Sequence, residues 1–181
     1  MKNILFSGVH GVGKGFFLEK IKKEIEGYSI YSASTLIEKY QPATDAGYKK
    51  VRHVKNNQDS LIKAIKEAKM NDRNNFILDG HLCIFNVEGN VVRIPENFFE
   101  ETQIEGIVLL QDCPDVITDR INKRDGKKIN VQSIEKMQRE EQKFAEELWK
   151  KNKIPYVVVT HKCTGAEFMQ RIQEFGGENI E

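Results

Sequence analysis

The feature that most constrains this chain is a glycine-rich segment, Gly8-Val-His-Gly-Val-Gly-Lys-Gly15, which lies between a short apolar run and an amphipathic stretch. Its glycines allow the backbone to turn sharply and to approach a ligand closely. Successive N–H groups then point inward, and the following helix adds the positive end of its dipole. Lys14 would place a charge on the β- and γ-phosphate oxygens. The pattern predicts that ATP or ADP binds to a loop made by Gly8, Gly11, Val12, Gly13, Lys14, Gly15 and Phe16.

The loop lacks the hydroxyl that commonly follows the lysine and holds Mg²⁺. Gly15 occupies that place, and Phe16 occupies the next one. Binding of phosphate by backbone N–H groups does not need this hydroxyl, so we expect the loop to bind phosphate without ligating Mg²⁺. Asp79 ends an apolar strand-like run and would hold Mg²⁺ directly or through water, unless it only caps its own loop.

The rest of the chain alternates strand-like and helix-like runs, which predicts a parallel sheet covered by helices on both faces. Five runs have strand character: Asn3–Ser7, Tyr28–Ser32, Asn75–Asp79, Gly106–Leu110 and Pro155–Val159. A Gly-Asn turn within residues 85–94 predicts a hairpin. We therefore expect one α/β domain over residues 1–181, with the P-loop three-layer, doubly wound fold and a five-stranded parallel sheet. A helical insertion at about 33–60 and a short lid at about 124–131 would interrupt it.

The composition argues against several other functions, although it leaves open an RNA partner held by a local basic patch. The 28 Lys and Arg residues nearly balance the 27 Asp and Glu residues, whereas a broad nucleic-acid surface needs a large basic excess. No apolar run approaches the ~20 residues that span a bilayer, and the opening segment is too short for a signal sequence. The three cysteines lack a zinc-binding spacing, so we expect them to be reduced. These features predict a cytoplasmic protein with nucleotide ligands, no membrane association and no strong nucleic-acid signal.

Three arginines near the polar break at residues 126–130 could provide positive charge for phosphoryl transfer, a reaction that depends on it. Arg120 and Arg124 lie four residues apart on one helix face, and Arg139 lies on the helix after the break. Such a helix–loop–helix could bring arginines over bound phosphates as a lid. The alternative is a solvated charged helix face with no ligand.

The sequence pattern alone leaves the roles of two further residues undecided. Arg52 lies in the helical insertion and has the character of an ordinary surface residue. His81 follows the third strand in Leu78-Asp-Gly-His81 and could bond a backbone carbonyl or contact a substrate.

The order of these motifs resembles that of archaeal-type adenylate kinases and of the eukaryotic nuclear adenylate-kinase-like proteins. The resemblance runs from Lys2 to about Thr160, and the Asp-x-His sequence after the third strand and the very short lid make it more specific. It implies that the insertion binds a nucleoside monophosphate and that Arg52 holds the acceptor phosphate. It also implies a hydroxyl from Ser34 or Thr35 near the monophosphate.

Three functions fit these observations. The leading hypothesis is transfer of the γ-phosphoryl group of ATP to a nucleoside monophosphate, with AMP favoured, Mg²⁺ as cofactor, and catalysis by Lys14, Arg120 and Arg124. Arg52, Thr35, His81 and Arg139 would then bind substrate. A second hypothesis is an ATP-driven switch with slow hydrolysis, read by a macromolecular partner. A third is a kinase for a small alcohol, with Asp79 as the base.

Overall fold

The computed structural model describes residues 2–40, 54–72, 74–86, 88–126 and 129–175. The strands of the main sheet are β1 (Asn3–Ser7), β2 (Tyr28–Ser32), β3 (Asn75–Asp79), β6 (Ile104–Leu110) and β7 (Tyr156–Val159). A separate hairpin consists of β4 (Cys83–Phe85) and β5 (Val91–Arg93). The helices are α1 (Lys14–Ile21), α2 (Ala33–Tyr40), α3 (Val54–Asn71), α4 (Asn97–Thr102), α5 (Pro114–Asp125), α6 (Val131–Asn152) and α7 (Gly165–Glu174).

The main sheet has the strand order β2-β3-β1-β6-β7, and every neighbouring pair is parallel. The predicted α/β fold with five parallel strands is therefore confirmed. The last strand begins at Tyr156, one residue later than predicted, because Pro155 has no N–H to donate to the ladder. The carbonyl of Pro155 still accepts a hydrogen bond of 2.9 Å from the N–H of Ile107.

The topology places one crevice beside the central strand. After β1 the chain crosses to β2 at one edge of the sheet, whereas after β3 it crosses to β6 on the other side of β1. The segments that leave the carboxyl ends of β1 and β3 therefore diverge, and ligands of open α/β sheets bind in such a crevice. Strand β1, which lies at the base of the crevice, is buried along its whole length.

Helix α1 follows the glycine loop as predicted. Its apolar residues Phe17, Leu18 and Ile21 are buried, because a helix that covers a sheet must place one face in the core. The helix starts after Gly13, which has a left-handed conformation (φ 99°), and no side chain caps its first turn. The first N–H groups of α1 are therefore available to a ligand.

The remaining elements agree with the sequence pattern, with one exception. The hairpin is antiparallel and pairs Phe85 with Val91, as the Gly-Asn turn predicts. Helix α4 was not predicted, because a six-residue segment that buries the adjacent Phe98 and Phe99 shows no full helical period. The described part of the chain has no helix that is long and apolar enough to cross a membrane.

The three cysteines are free, as expected. Cys83 and Cys163 are buried, whereas Cys113 is exposed. Burial raises the pKa of the Cys83 thiol to about 12, so this side chain stays protonated and unreactive at neutral pH.

Candidate active site

The crevice opens into a cleft of about 440 Å³ at the carboxyl ends of β1 and β3. It contains the glycine loop, the segment after β3, the start of α2 and one side of α5. The lining residues are His10, Gly11, Gly13, Lys14, Gly15, Ser32, Ala33, Ser34, Asp79, Gly80, His81, Arg120 and Arg124.

Two positions of the loop require glycine. Gly11 has φ 83°, and a Cβ there would lie 2.4 Å from the side chain of Ile121. Gly13 has φ 99°, and a Cβ there would lie 3.0 Å from the ring of His161. Both the left-handed backbone and the close packing disfavour any other residue at these positions.

Lys14 lies at the centre of the cleft. Its Nζ donates a hydrogen bond of 2.9 Å to the carbonyl oxygen of Gly8 and lies 3.8 Å from Oδ1 of Asp79. Burial lowers the pKa of Lys14, while the negative charges of Asp79 and Glu141 oppose that change. Burial likewise raises the pKa of Asp79, and the charge of Lys14 opposes the rise. Each charge therefore helps to keep the other ionised in a poorly hydrated site.

His81 contacts the loop and also lines the cleft. Both ring nitrogens lie 3.5 Å from Nζ of Lys14, and the ring lines the cleft. Its pKa lies well below the usual value, first because of burial and then because of the positive charge of Lys14, while a hydrogen bond with the backbone of Gly8 opposes the change. The ring is therefore neutral at neutral pH, and it packs against the loop while remaining within reach of a ligand.

Arg120 contacts the outer side of the loop. Its Nη1 donates to the carbonyl oxygen of Val12 at 3.1 Å and forms an ion pair of 3.0 Å with Oδ2 of Asp112. The same Val12 oxygen accepts a hydrogen bond of 2.6 Å from Nε2 of His161. Asp112 and His161 were missed at the sequence level, although both follow strands of the parallel sheet at their carboxyl ends. A position directly after a parallel strand is the sequence signal that could have identified both residues.

Arg124 lies at the mouth of the cleft, with about half of its side chain exposed. It forms two hydrogen bonds with Asp125, of 2.6 and 2.8 Å, and it contacts the ring of His10. In this arrangement the guanidinium group is paired with protein groups. It would have to exchange them in order to reach a phosphate.

Of the other described residues that were predicted to bind substrate, Ser34 alone lines the cleft. Arg139 has a side chain that is 70% exposed and lies 3.7 Å from Glu135 of its own helix. At the start of α2, Ser34 lines the cleft and Thr35 does not. Arg52 lies outside the described residues.

Phe16 does not line the cleft either. Its side chain is 73% exposed, and its ring centroid lies 6.4 Å from that of His161. This aromatic side chain is therefore exposed and lies outside the cleft lining.

Glu141 is a further charged residue that sequence patterns did not single out. Only 2% of this residue is exposed, although it lies in the middle of α6. Its Oε1 accepts hydrogen bonds from Oγ of Ser7 at 2.9 Å and from the N–H of Leu82 at 3.2 Å. Burial raises the pKa of Glu141, and the charge of Lys14 is the largest opposing influence. The available signal was its position within the apolar stripe of the helix, between Met137 and Phe144.

The described residues could hold Mg²⁺ only together with ligands from water and from a bound nucleotide. Within the described ranges, no group of three His, Cys, Asp or Glu side chains could hold a metal ion. Mg²⁺, however, usually keeps several waters and binds through one or two carboxylates together with substrate phosphates. Asp79 is a suitably placed carboxylate for that kind of binding.

Comparison with known families agrees with this geometry. The family model described as an AAA domain matches residues 7–138, which include the loop, Asp79 and both cleft arginines. The chain belongs to this family. It is therefore a P-loop protein with a kinase-like, ATP-binding architecture, and the family does not by itself identify the acceptor. No curated protein sequence matches the chain.

Two solved structures share the fold at low sequence identity. The tunicamycin resistance protein of Deinococcus radiodurans is 11% identical with a TM-score of 0.60, and the match covers 99% of this chain and 98% of that one. A gluconokinase from Sinorhizobium meliloti 1021 is 16% identical with a TM-score of 0.50, and the match covers 96% of this chain and 90% of that one. These similarities establish the fold alone.

Proposed function

We propose that this protein transfers the γ-phosphoryl group of ATP to a nucleoside monophosphate, with AMP as the favoured acceptor. The observation that carries the proposal is the convergence of the glycine loop, the Lys14–Asp79 pair and two arginines on one cleft. Phosphoryl transfer of this kind depends on positioning and on electrostatic stabilisation, and needs no covalent enzyme intermediate.

The residues of the cleft have separate tasks in this mechanism. The loop N–H groups and the first turn of α1 hold the phosphates, and Lys14 stabilises negative charge on the oxygens of the transferring group. Arg124 leaves Asp125 and meets the phosphates, so that its charge acts where negative charge increases. Bound Mg²⁺ would neutralise charge on the β- and γ-phosphates, and Asp79 would help to hold it.

The acceptor would lie at the other end of the cleft, beside the start of α2. Ser32 and Ser34 line this end, and their hydroxyl oxygens are 3.0 Å apart. A monophosphate acceptor also needs a positive charge, and we assign that task to Arg52 from its place in the sequence. The resemblance to archaeal-type adenylate kinases supports this assignment.

The test is a coupled assay of ADP formation from ATP with each nucleoside monophosphate, and with none. AMP should raise ADP production well above the rate with ATP alone. If no monophosphate stimulates turnover, the nucleoside monophosphate kinase proposal is wrong. Slow hydrolysis that no acceptor stimulates would instead favour an ATP-driven switch read by a macromolecular partner.

A second candidate is a kinase for a small alcohol, and one observation favours it. Among the described lining residues, the start of α2 and the segment after β3 contribute hydroxyls, Asp79 and His81, whereas Lys14 and the arginines belong to the loop and to α5. Burial raises the pKa of Asp79, which makes its carboxylate a better base for an acceptor hydroxyl. Gluconate belongs in the acceptor panel because a gluconokinase shares the fold. Stimulation by gluconate or another polyol, but not by AMP, would select this candidate.

A further inference from the structure

Glu141 is buried in the middle of α6, and the proposed mechanism gives it no direct contact with a substrate. A carboxylate without water loses a large solvation free energy, and protein contacts must compensate for that loss. Helix α6 could have buried an apolar residue there, as it does at Met137, Phe144 and Leu148. The contacts of Glu141 are therefore a guide to its role.

The carboxylate joins the two strand ends on either side of the ligand crevice. Ser7 is the last residue of β1, and Leu82 follows the Asp79–His81 segment after β3. The N–H of Leu82 donates to both Ser7 Oγ, at 2.8 Å, and Glu141 Oε1, at 3.2 Å. Ser7 in turn donates to the same carboxylate oxygen at 2.9 Å. The three groups form a buried triangle of hydrogen bonds, and the backbone of Cys83 also bonds to this carboxylate.

Two corners of the triangle lie next to residues that contact Lys14. Ser7 precedes Gly8, whose carbonyl oxygen accepts the hydrogen bond from Lys14 at 2.9 Å. Leu82 follows His81, which lies 3.5 Å from the same ammonium group. Glu141 lies on α6, the helix that begins after the short polar break. The triangle therefore connects the base of the loop, the segment after β3 and the helix beyond the break.

We propose that Glu141 is a positioning residue of the phosphate site. By accepting hydrogen bonds from Ser7 and Leu82, it fixes the segment that carries Asp79 and His81 against the base of the loop that carries Lys14. A preformed loop binds phosphate without first ordering its own groups, which strengthens binding. The proposal rests on the nucleotide site of the proposed function, but the measurements below require no phosphoryl transfer.

Three variants separate positioning from simple structural support. Glu141→Leu removes the hydrogen-bond acceptor and fills the buried space with an apolar side chain. Glu141→Gln keeps an acceptor oxygen. Glu135→Leu is the matched control, because Glu135 lies on the exposed side of the same helix, 3.7 Å from Arg139.

The first measurement is ADP affinity by calorimetry, well below the unfolding temperature of each variant. We expect Glu141→Leu to weaken ADP binding by about tenfold, in line with one lost charge-assisted hydrogen bond. Glu141→Gln should recover at least half of that loss on a logarithmic scale, and Glu135→Leu should bind as the wild type does. If the loss of ADP affinity in both Glu141 variants is proportional to the fall in their unfolding temperature, Glu141 is a structural anchor. That result would overturn the proposal.

The second measurement is hydrogen exchange at the Leu82 amide, which is independent of any reaction. Glu141→Leu should speed this exchange about tenfold, because one of the two acceptors is lost. Ser7→Ala should weaken ADP binding less. The Ser7→Ala/Glu141→Leu double variant should lose less affinity than the two single losses combined, because both remove the same triangle.

These measurements distinguish the failure of this proposal from the failure of the proposed function. A wild-type protein that binds ADP but phosphorylates no acceptor would reject the kinase function and leave the Glu141 comparison intact. Folded Glu141→Leu protein with wild-type ADP affinity and wild-type Leu82 exchange would overturn the positioning role. A wild-type protein that binds no ADP would end both proposals.

Discussion

The two ends of the cleft are built by different means. At the proposed donor end, which the glycine loop forms, the carbonyl of Val12 is held by both Arg120 and His161, and Lys14 is anchored on Gly8. At the acceptor end, the described contacts are fewer. Ser34 bonds Ser32 at the start of a short helix.

This difference predicts different consequences of mutation. Groups that are already in place act most strongly on charge that develops during a reaction, because they need not reorganise. Hydroxyls at a partly exposed helix start contribute single hydrogen bonds to a bound acceptor, each of modest strength. Changes at the donor end should therefore lower the rate, and changes at the acceptor end should raise the acceptor KM.

The largest effect should come from Lys14→Ala. We expect this substitution to lower the transfer rate by a factor that corresponds to about 3 kcal/mol, as for the loss of one preorganised transition-state donor. ATP affinity should also fall. Calorimetric titration and turnover measurements on the same preparation check both effects. Unchanged affinity together with unchanged turnover would remove the loop from the proposed site.

Arg124→Ala should have the next largest effect, and it sharpens the distinction between binding and catalysis. The arginine is paired with Asp125 in the described arrangement, and we expect it to meet phosphate charge that increases in the transition state. Turnover should fall about tenfold, which corresponds to ~1.4 kcal/mol, with a smaller change in nucleotide affinity. Single-turnover kinetics and equilibrium titration separate the two quantities.

The control for Arg124 is Lys123→Ala, which removes a neighbouring exposed charge that does not line the cleft. It should leave both quantities unchanged. An equal loss of turnover and of affinity in Arg124→Ala would limit that arginine to ground-state binding. No loss in either would make it a solvated surface charge.

A smaller effect is expected at the acceptor end from Ser34→Ala. Loss of one hydrogen bond from a neutral hydroxyl should raise the acceptor KM by about three- to fivefold and leave the KM for ATP unchanged. Thr35→Ala tests the neighbouring hydroxyl, which does not line the cleft, and should change neither value. A response to Thr35→Ala but not to Ser34→Ala would mean that the acceptor binds on a different side of α2 than we propose.

The smallest effect should come from adding the missing hydroxyl with Gly15→Ser. A Cβ at Gly15 meets no atom within 4 Å, so the substitution should not distort the loop. We expect the ratio of ATP affinities with and without Mg²⁺ to rise about threefold, as one added oxygen ligand joins the metal's shell. Gly15→Ala adds the same carbon without the hydroxyl. An equal rise in Gly15→Ala would show that the effect does not come from metal ligation.

The amino-acid sequence by itself determined the fold and the centre of the site. The glycine loop, Lys14 and the five strand-like runs are local patterns, and local patterns depend on backbone geometry and on the alternation of apolar residues. Asp79 could be placed near the loop because the carboxyl ends of parallel strands share one edge of the sheet. The same rule applies to Asp112 and His161, which also follow strands at this edge of the sheet.

Only the tertiary structure decided which charged side chains converge. Glu141 lies 134 residues from its partner Ser7, and only the packing of α6 against the sheet brings them together. Arg120 and Arg139 are both arginines of helices that flank the same break, yet one contacts the loop and the other pairs with Glu135 in solvent. Ser34 and Thr35 are adjacent hydroxyls, and the helix phase of α2 directs only the first toward the cleft. Spacing along the chain identifies which residues could take part, but the rotation of each helix and its packing partner determine which of them reach the site.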